Sequence, residues 1–189
     1  MLAGPTLTLV DDLPGVLAQI RRLLVPDGLM LAAFFGGLTL AELRTALVEA
    51  ELEARGGAAM RVAPFADLAD AAALLQRAGF ALPVADREVI TVRYADPWRL
   101  LADLRAAGLT GVLRERAFLP RRVLARALER YRGLFADPDG RVRATFELHV
   151  LTGWAPHPSQ PRPKPRGSAT VDLAALLGRE PGEKGEREE

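Results

Sequence analysis

Residues 7–37 read LTLVDDLPGVLAQIRRLLVPDGLMLAAFFGG, and this stretch decides the fold. The apolar run Leu7 to Val10 predicts the end of a strand, closed by Asp11 and Asp12. Leu13, Val16, Leu17, Ile20 and Leu24 then recur at helical spacing and predict a helix over 13–25. Asp12 stands where it can cap that helix, and Pro14 suits its first turn. Pro26-Asp27-Gly28 stops it. Leu29 to Phe35 is apolar throughout, which suits a strand covered on both faces, as in a parallel sheet. Gly36-Gly37 ends that strand. A strand, a helix and a second strand joined by short turns form a crossover unit, so the fold class is α/β.

The rest of the chain extends the pattern. Thr39-Leu-Ala-Glu42 has the form of a capping box, which opens a helix carrying Leu40, Leu43, Leu47, Ala50 and Ala54. A further helix over about 66–78 is predicted to bury Leu68, Ala72 and Leu75. Residues 84–95 alternate as a strand. Asp96-Pro97 opens a short helix with Trp98, Leu101 and Leu104, and Pro120 opens another that reaches about Leu134. Residues 141–153 alternate as the last strand, with Glu147 and His149 on its less apolar face. Beyond Ala155 come five closely spaced prolines and then a charged end without apolar residues. The expected organisation is an α/β domain over 1–155 with a helical insertion at 97–134. A largely disordered tail over 156–189 is expected to follow.

Composition excludes several functions. The chain has 189 residues, 49% of them hydrophobic, and a formal charge of +1. That is enough for a core, and too little charge for a nucleic-acid binder to be the default reading. There are no cysteines, so disulfides, thiolate metal sites and a cysteine nucleophile are excluded. Two histidines make a metal site an unpromising reading. No run of 18 apolar residues predicts a membrane span, and the first residues lack the pattern of a secretory leader, so a cytoplasmic protein is expected. Of the 25 basic residues only Lys164 and Lys184 are lysine, an arginine bias typical of a high-GC bacterial genome.

Candidate sites lie where strands end. Asp11 and Asp12 stand at the carboxyl end of the first strand, where open α/β sheets take their ligands, although Asp12 also serves as a cap. Gly36 and Gly37 end the second strand and would let a substrate approach the backbone. Tyr94, Trp98 and Arg99 gather at a strand-to-helix junction as a candidate substrate contact. Residues 99–132 hold nine arginines against three acidic residues, with Arg122, Arg126 and Arg130 on one helix face. Such a surface would steer an acidic partner. His149 and His157 have no evident catalytic partner, and no Ser/His/Asp constellation is present. A Gly-rich G-x-G-x-x-G turn, usual after the first strand of a nucleotide-binding α/β fold, does not occur.

These residues also carry a resemblance. Leu7 to Gly15 and Val25 to Leu29 resemble the segments around strands four and five of class I S-adenosylmethionine-dependent methyltransferases. The matching branch is that of the biotin-pathway malonyl-carrier-protein methyltransferase, which also includes a complex I assembly arginine hydroxylase. Arg61 to Asp67, TVRYADP (Thr91 to Pro97) and Phe135 to His157 are similar to this branch and more specific to it. The resemblance runs from Leu7 to Ala169 and covers only the later part of the family fold.

It implies a partial sheet of order 4-5-7-6 with strand seven antiparallel, and S-adenosylmethionine as cofactor. Thr8, Asp11 and Asp12 would be its contacts here, although Thr8 and Leu9 stand where the family has His-Trp, and Leu38 where it has Asp. An acidic carrier protein is an expected partner. The family's Gly-rich half lies outside the resemblance, so an N-terminal half acting in trans is a second expected partner. Three readings stay open: a truncated methyltransferase-family enzyme, a non-catalytic binding or scaffold remnant, and an arginine hydroxylase. The partial sheet is also expected to leave its strand-four edge unpaired and apolar faces exposed.

Overall fold

The computed structural model describes residues 1–115, 117–161 and 168. The residues from Met1 to His157 form one compact unit. The tail expected over 156–189 lies almost entirely outside the described residues.

Four strands make one sheet: β1 (Leu2–Ala3), β2 (Leu29–Phe35), β3 (Ala81–Tyr94) and β4 (Val142–Trp154). Their order is β1-β2-β4-β3. β1 runs parallel to β2, whereas β4 is antiparallel to both its neighbours. Read as strands four to seven, this is the expected 4-5-7-6 order with strand seven reversed. The strand order and the reversed strand are those expected from the sequence. Among the described residues β3 pairs only with β4, and this edge position tolerates Pro83, which has no amide to donate.

Two helices pack on one face of the sheet. α1 (Leu13–Leu23) starts at Asp12, whose carboxylate accepts from the Gly15 amide at 2.9 Å, as expected. α3 (Leu68–Arg77) buries Ala71, Leu74 and Leu75 rather than the stripe 68, 72, 75. Leu75 is buried as expected, and the rest of the buried stripe falls at 71 and 74, the positions that pack into the core with the sheet. With Met30, Ala32, Phe34 and Leu151 of the sheet, these helices enclose one core.

Three helices build a second core beyond the carboxyl end of β2: α2 (Ala41–Arg55), α4 (Pro97–Ala106) and α5 (Arg121–Phe135). It gathers Leu43, Leu47, Leu100, Tyr131, Val142 and Ala144. The Tyr131 hydroxyl donates to the Arg143 carbonyl at 2.6 Å, and burial pushes its pKa far up.

Two sequence expectations are corrected. Leu7 to Val10 is not a strand end: Pro5–Leu9 forms a 3-10 turn. Pro5 cannot donate to a sheet ladder, so pairing stops at Ala3. The Thr8 hydroxyl instead accepts from the Phe35 amide at 3.0 Å, the place a longer strand would occupy. The capping box at 39–42 also fails. Leu40 adopts a left-handed φ of 56°, and no side chain caps α2. Thr39 and Glu42 turn to β4: Thr39 bonds the Glu147 backbone, while the Glu42 carboxylate takes the Thr145 amide and hydroxyl.

The outer edge of β1 is open. β1 has no partner beyond β2 among the described residues. Leu29, Leu31, Val84 and Ile90, on the face opposite α1 and α3, are each more than a third exposed.

Candidate functional site: a strapped apolar cavity

A half-open pocket indents the second core. A cavity of about 330 Å³ lies between α2, α4, the 60–65 segment and the loop residues 109–115 and 117–119, with Thr8 and Phe35 on its wall. Its size is at the lower end for ligand pockets. Leu43, Leu47, Phe65, Leu101, Leu104 and Leu109 give it a mainly hydrocarbon lining.

The loop over the cavity is held at two points of different character. Inside, Glu51 is 1% exposed and pairs with Arg61. Arg61 in turn donates to the carbonyls of Ala117 and Phe118. The Arg61 guanidinium, joined by the Ala59 amide, outweighs burial and holds the Glu51 carboxyl below the usual range. Outside, Arg114 of the loop pairs with Asp11, both well exposed. The loop is a strap with a buried anchor and a surface latch.

A second polar cluster braces the β2–α2 junction. His149 is fully buried, with Nε2 3.1 Å from the Glu147 carboxylate, and its Nδ1 has no partner among the described residues. The other Glu147 oxygen accepts from the Leu38 amide at 2.7 Å. Burial raises the Glu147 pKa, but the Leu38 amide and His149 outweigh it, and the carboxyl is net lowered. A Cβ on Gly36 would sit 2.3 Å from His149 Nε2, so glycine is required by close contact. His149 was read from the sequence as lacking a partner. Its partner stands two residues away on the same strand face, a spacing that alternation places side by side.

The structure separates the other sequence candidates. Thr8 lines the cavity, but its hydroxyl is engaged by Phe35. Asp11 is engaged by Arg114 and Asp12 by the end of α1. These three side chains, each committed within the chain, do not form a cofactor cradle. Gly36 faces Glu147 and His149, and the Gly37 carbonyl accepts from Arg44. Tyr94 packs against the second core, Trp98 is half exposed, and Arg99 lies near Asp96 at 4.0 Å, none of them on the cavity wall. On the basic helix, Arg126 and Arg130 are neutralised by Glu53, Glu49 and Glu129. Sequence reasoning missed the Glu51–Arg61 anchor, since nothing local distinguishes these two among many charged residues.

Among the described residues no helix is long and apolar enough to cross a membrane, and no cluster of three metal-ligating side chains occurs.

The described residues thus form an open four-stranded α/β sheet whose last strand runs antiparallel to its neighbours, with α4 and α5 before it. No protein-family model matches the chain. Curated relatives do. The chain is 37% identical over 177 residues to the mitochondrial arginine-hydroxylase NDUFAF5 of Danio rerio, covering 93% of this chain and 55% of that protein. It is 41% identical over 168 residues to the Homo sapiens NDUFAF5, covering 88% and 49%. It is 35% identical over 171 residues to the malonyl-[acyl-carrier protein] O-methyltransferase of Halorhodospira halophila, covering 89% and 56%. Among solved structures, the YcgJ protein of Bacillus superposes with a TM-score of 0.49 at 10% identity, covering 82% of this chain and 63% of that one. The chain is thus similar in sequence to NDUFAF5 arginine-hydroxylases and to malonyl-[acyl-carrier protein] O-methyltransferases. It spans about half the length of the curated relatives it matches.

Proposed function

We propose that the chain supplies the acceptor-binding part of an S-adenosylmethionine-dependent methyltransferase-family enzyme. The observation that carries this reading is the roofed cavity at the carboxyl end of β2, on a sheet of the family's order. Open α/β sheets take ligands at that end. In this role the chain's own residues exclude water and hold the acceptor, the positioning work on which group transfer chiefly depends.

The cofactor is held mainly by a second half, supplied by a longer protein or by a separate chain. The commitment of Thr8, Asp11 and Asp12 within the chain supports this, as do the free edge of β1 and the apolar patch at Leu29 and Leu31. Arg121, Arg122 and Arg132, which make no ion pair among the described residues, support recruitment of an acidic carrier protein. Gly37, Tyr94, Trp98 and Arg99 remain proposed contacts for that larger partner rather than for a small acceptor. The proposed compartment is the bacterial cytoplasm, in keeping with the arginine bias.

Calorimetric titration of S-adenosylmethionine tests the division of labour. No binding is expected to the chain alone at millimolar cofactor, with binding gained when it is fused to the preceding half of the Halorhodospira relative. Micromolar binding by the chain alone would overturn the reading.

A second reading is favoured by one observation: the NDUFAF5 relatives match at 37% and 41%, above the 35% of the Halorhodospira methyltransferase. In that reading the completed protein hydroxylates an arginine. Mass spectrometry of arginine peptides, read for the gain of one oxygen, separates it from methyl transfer.

A further inference from the structure

We infer that the cavity binds an unbranched, uncharged apolar chain, such as the hydrocarbon part of a medium-length acyl group. This rests on reading the cavity as the acceptor site, and it departs from the charged malonyl and arginine groups in the relatives' names.

The wall carries the argument. Leucine, valine and phenylalanine side chains from four separate segments face the space. Its inner polar groups are already taken: Thr8 by Phe35, Thr39 by Glu147, and Arg61 by Glu51 and two loop carbonyls. A carboxylate or guanidinium moved inside would lose its hydration and find no free counter-charge. Arg105 and Glu115, the other charged lining residues, are exposed and of opposite sign. They suit a rim in contact with a polar head that stays in water. Water inside would find few partners, so an apolar guest is the better occupant. The buried Glu51–Arg61 anchor ties the loop carbonyls of Ala117 and Phe118 to α2, which fixes the loop beside the pocket. A slender chain suits a pocket of this volume crossed by a loop better than a bulky ring does.

Decanoate titrated into the full chain by calorimetry, without S-adenosylmethionine, tests the inference separately from the cofactor reading. Saturable binding at one site per chain is expected, with acetate inert. Ala63→Trp, which fills the cavity from a half-buried loop position, is expected to weaken binding by roughly tenfold or more. A photoactivatable decanoate analogue gives a readout that needs no variant. Labels on residues 60–65 and 101–113 are expected. The inference is overturned by absent saturable binding, by unchanged binding in folded Ala63→Trp, or by labels on Leu29, Leu31, Val84 and Ile90. Equal binding of an alkyl guanidinium through its charged end, labelled inside the cavity, also overturns it.

Discussion

The two cores of this protein are built from the same residue types and differ in closure. Around α1 and α3, Leu17, Met30 and Leu75 are fully buried in one core on a single face of the sheet. Around α2, α4 and α5, residues just as apolar enclose a space and are roofed by a loop pinned by charge. The difference teaches that hydrophobicity alone does not fill a core. The closed side brings two helices directly onto strands. On the other side the 60–65 segment and the loop are tied to α2 through the Glu51–Arg61 pair, which leaves a pocket among apolar side chains.

The contrast can be broken most strongly at that pair. Glu51→Leu leaves the Arg61 guanidinium with no carboxylate in a partly buried place, and a loss of about 3–5 kcal/mol in urea unfolding is expected. Acid should mimic it in part. The Glu51 pKa is depressed in the folded protein, so its stabilisation is present above the ordinary carboxylate pKa of about 4.3 and is lost as pH falls through the lower folded value. Unfolding midpoints should therefore drop on acidification below about pH 4, less steeply in Glu51→Gln.

Leu17→Ala and Leu101→Ala compare the cores directly. The first opens a void in the closed core and is expected to cost about 2–5 kcal/mol. The second merely enlarges an existing space and should cost clearly less in the same denaturation assay. Equal losses would show that the side with the pocket is packed as tightly as the closed one.

Gly36→Ala should cost about 1–3 kcal/mol, because the new methyl meets the buried Glu147–His149 cluster. Pairing it with His149→Ala in a double-mutant cycle should recover part of the loss. The smallest effect is expected at the latch. Asp11→Asn should change stability by less than about 1 kcal/mol, since the pair is exposed. It should instead raise the hydrogen exchange of amides 110–115, as added salt does for the unmodified chain.

Much of this was readable in the sequence. Period and punctuation placed α1, β2, α4, α5 and β4 within a few residues, because each carries its own cap or a strong apolar rhythm. Asp12 and Asp96 cap as expected. The 39–42 box did not, because its two side chains found better partners on β4, more than a hundred residues away. The candidate site was legible only at its edge: Thr8 and the end of β2 were named, whereas the roof and the Arg61 anchor depend on contacts between segments that share no local pattern.

The antiparallel pairing of β2 with β4 has a consequence for the order of assembly. β2 lies near the start of the chain, yet its neighbour is residues 142–154, and the β2–α2 junction is tied to Thr145 and Glu147. During synthesis, β2 must wait for more than a hundred further residues before that side is covered. Such long-range closure slows folding and prolongs the exposure of an apolar strand. Chaperone dependence should therefore fall on the nascent stretch from Leu29 to Phe35, and a stall before residue 142 should leave that strand open to aggregation.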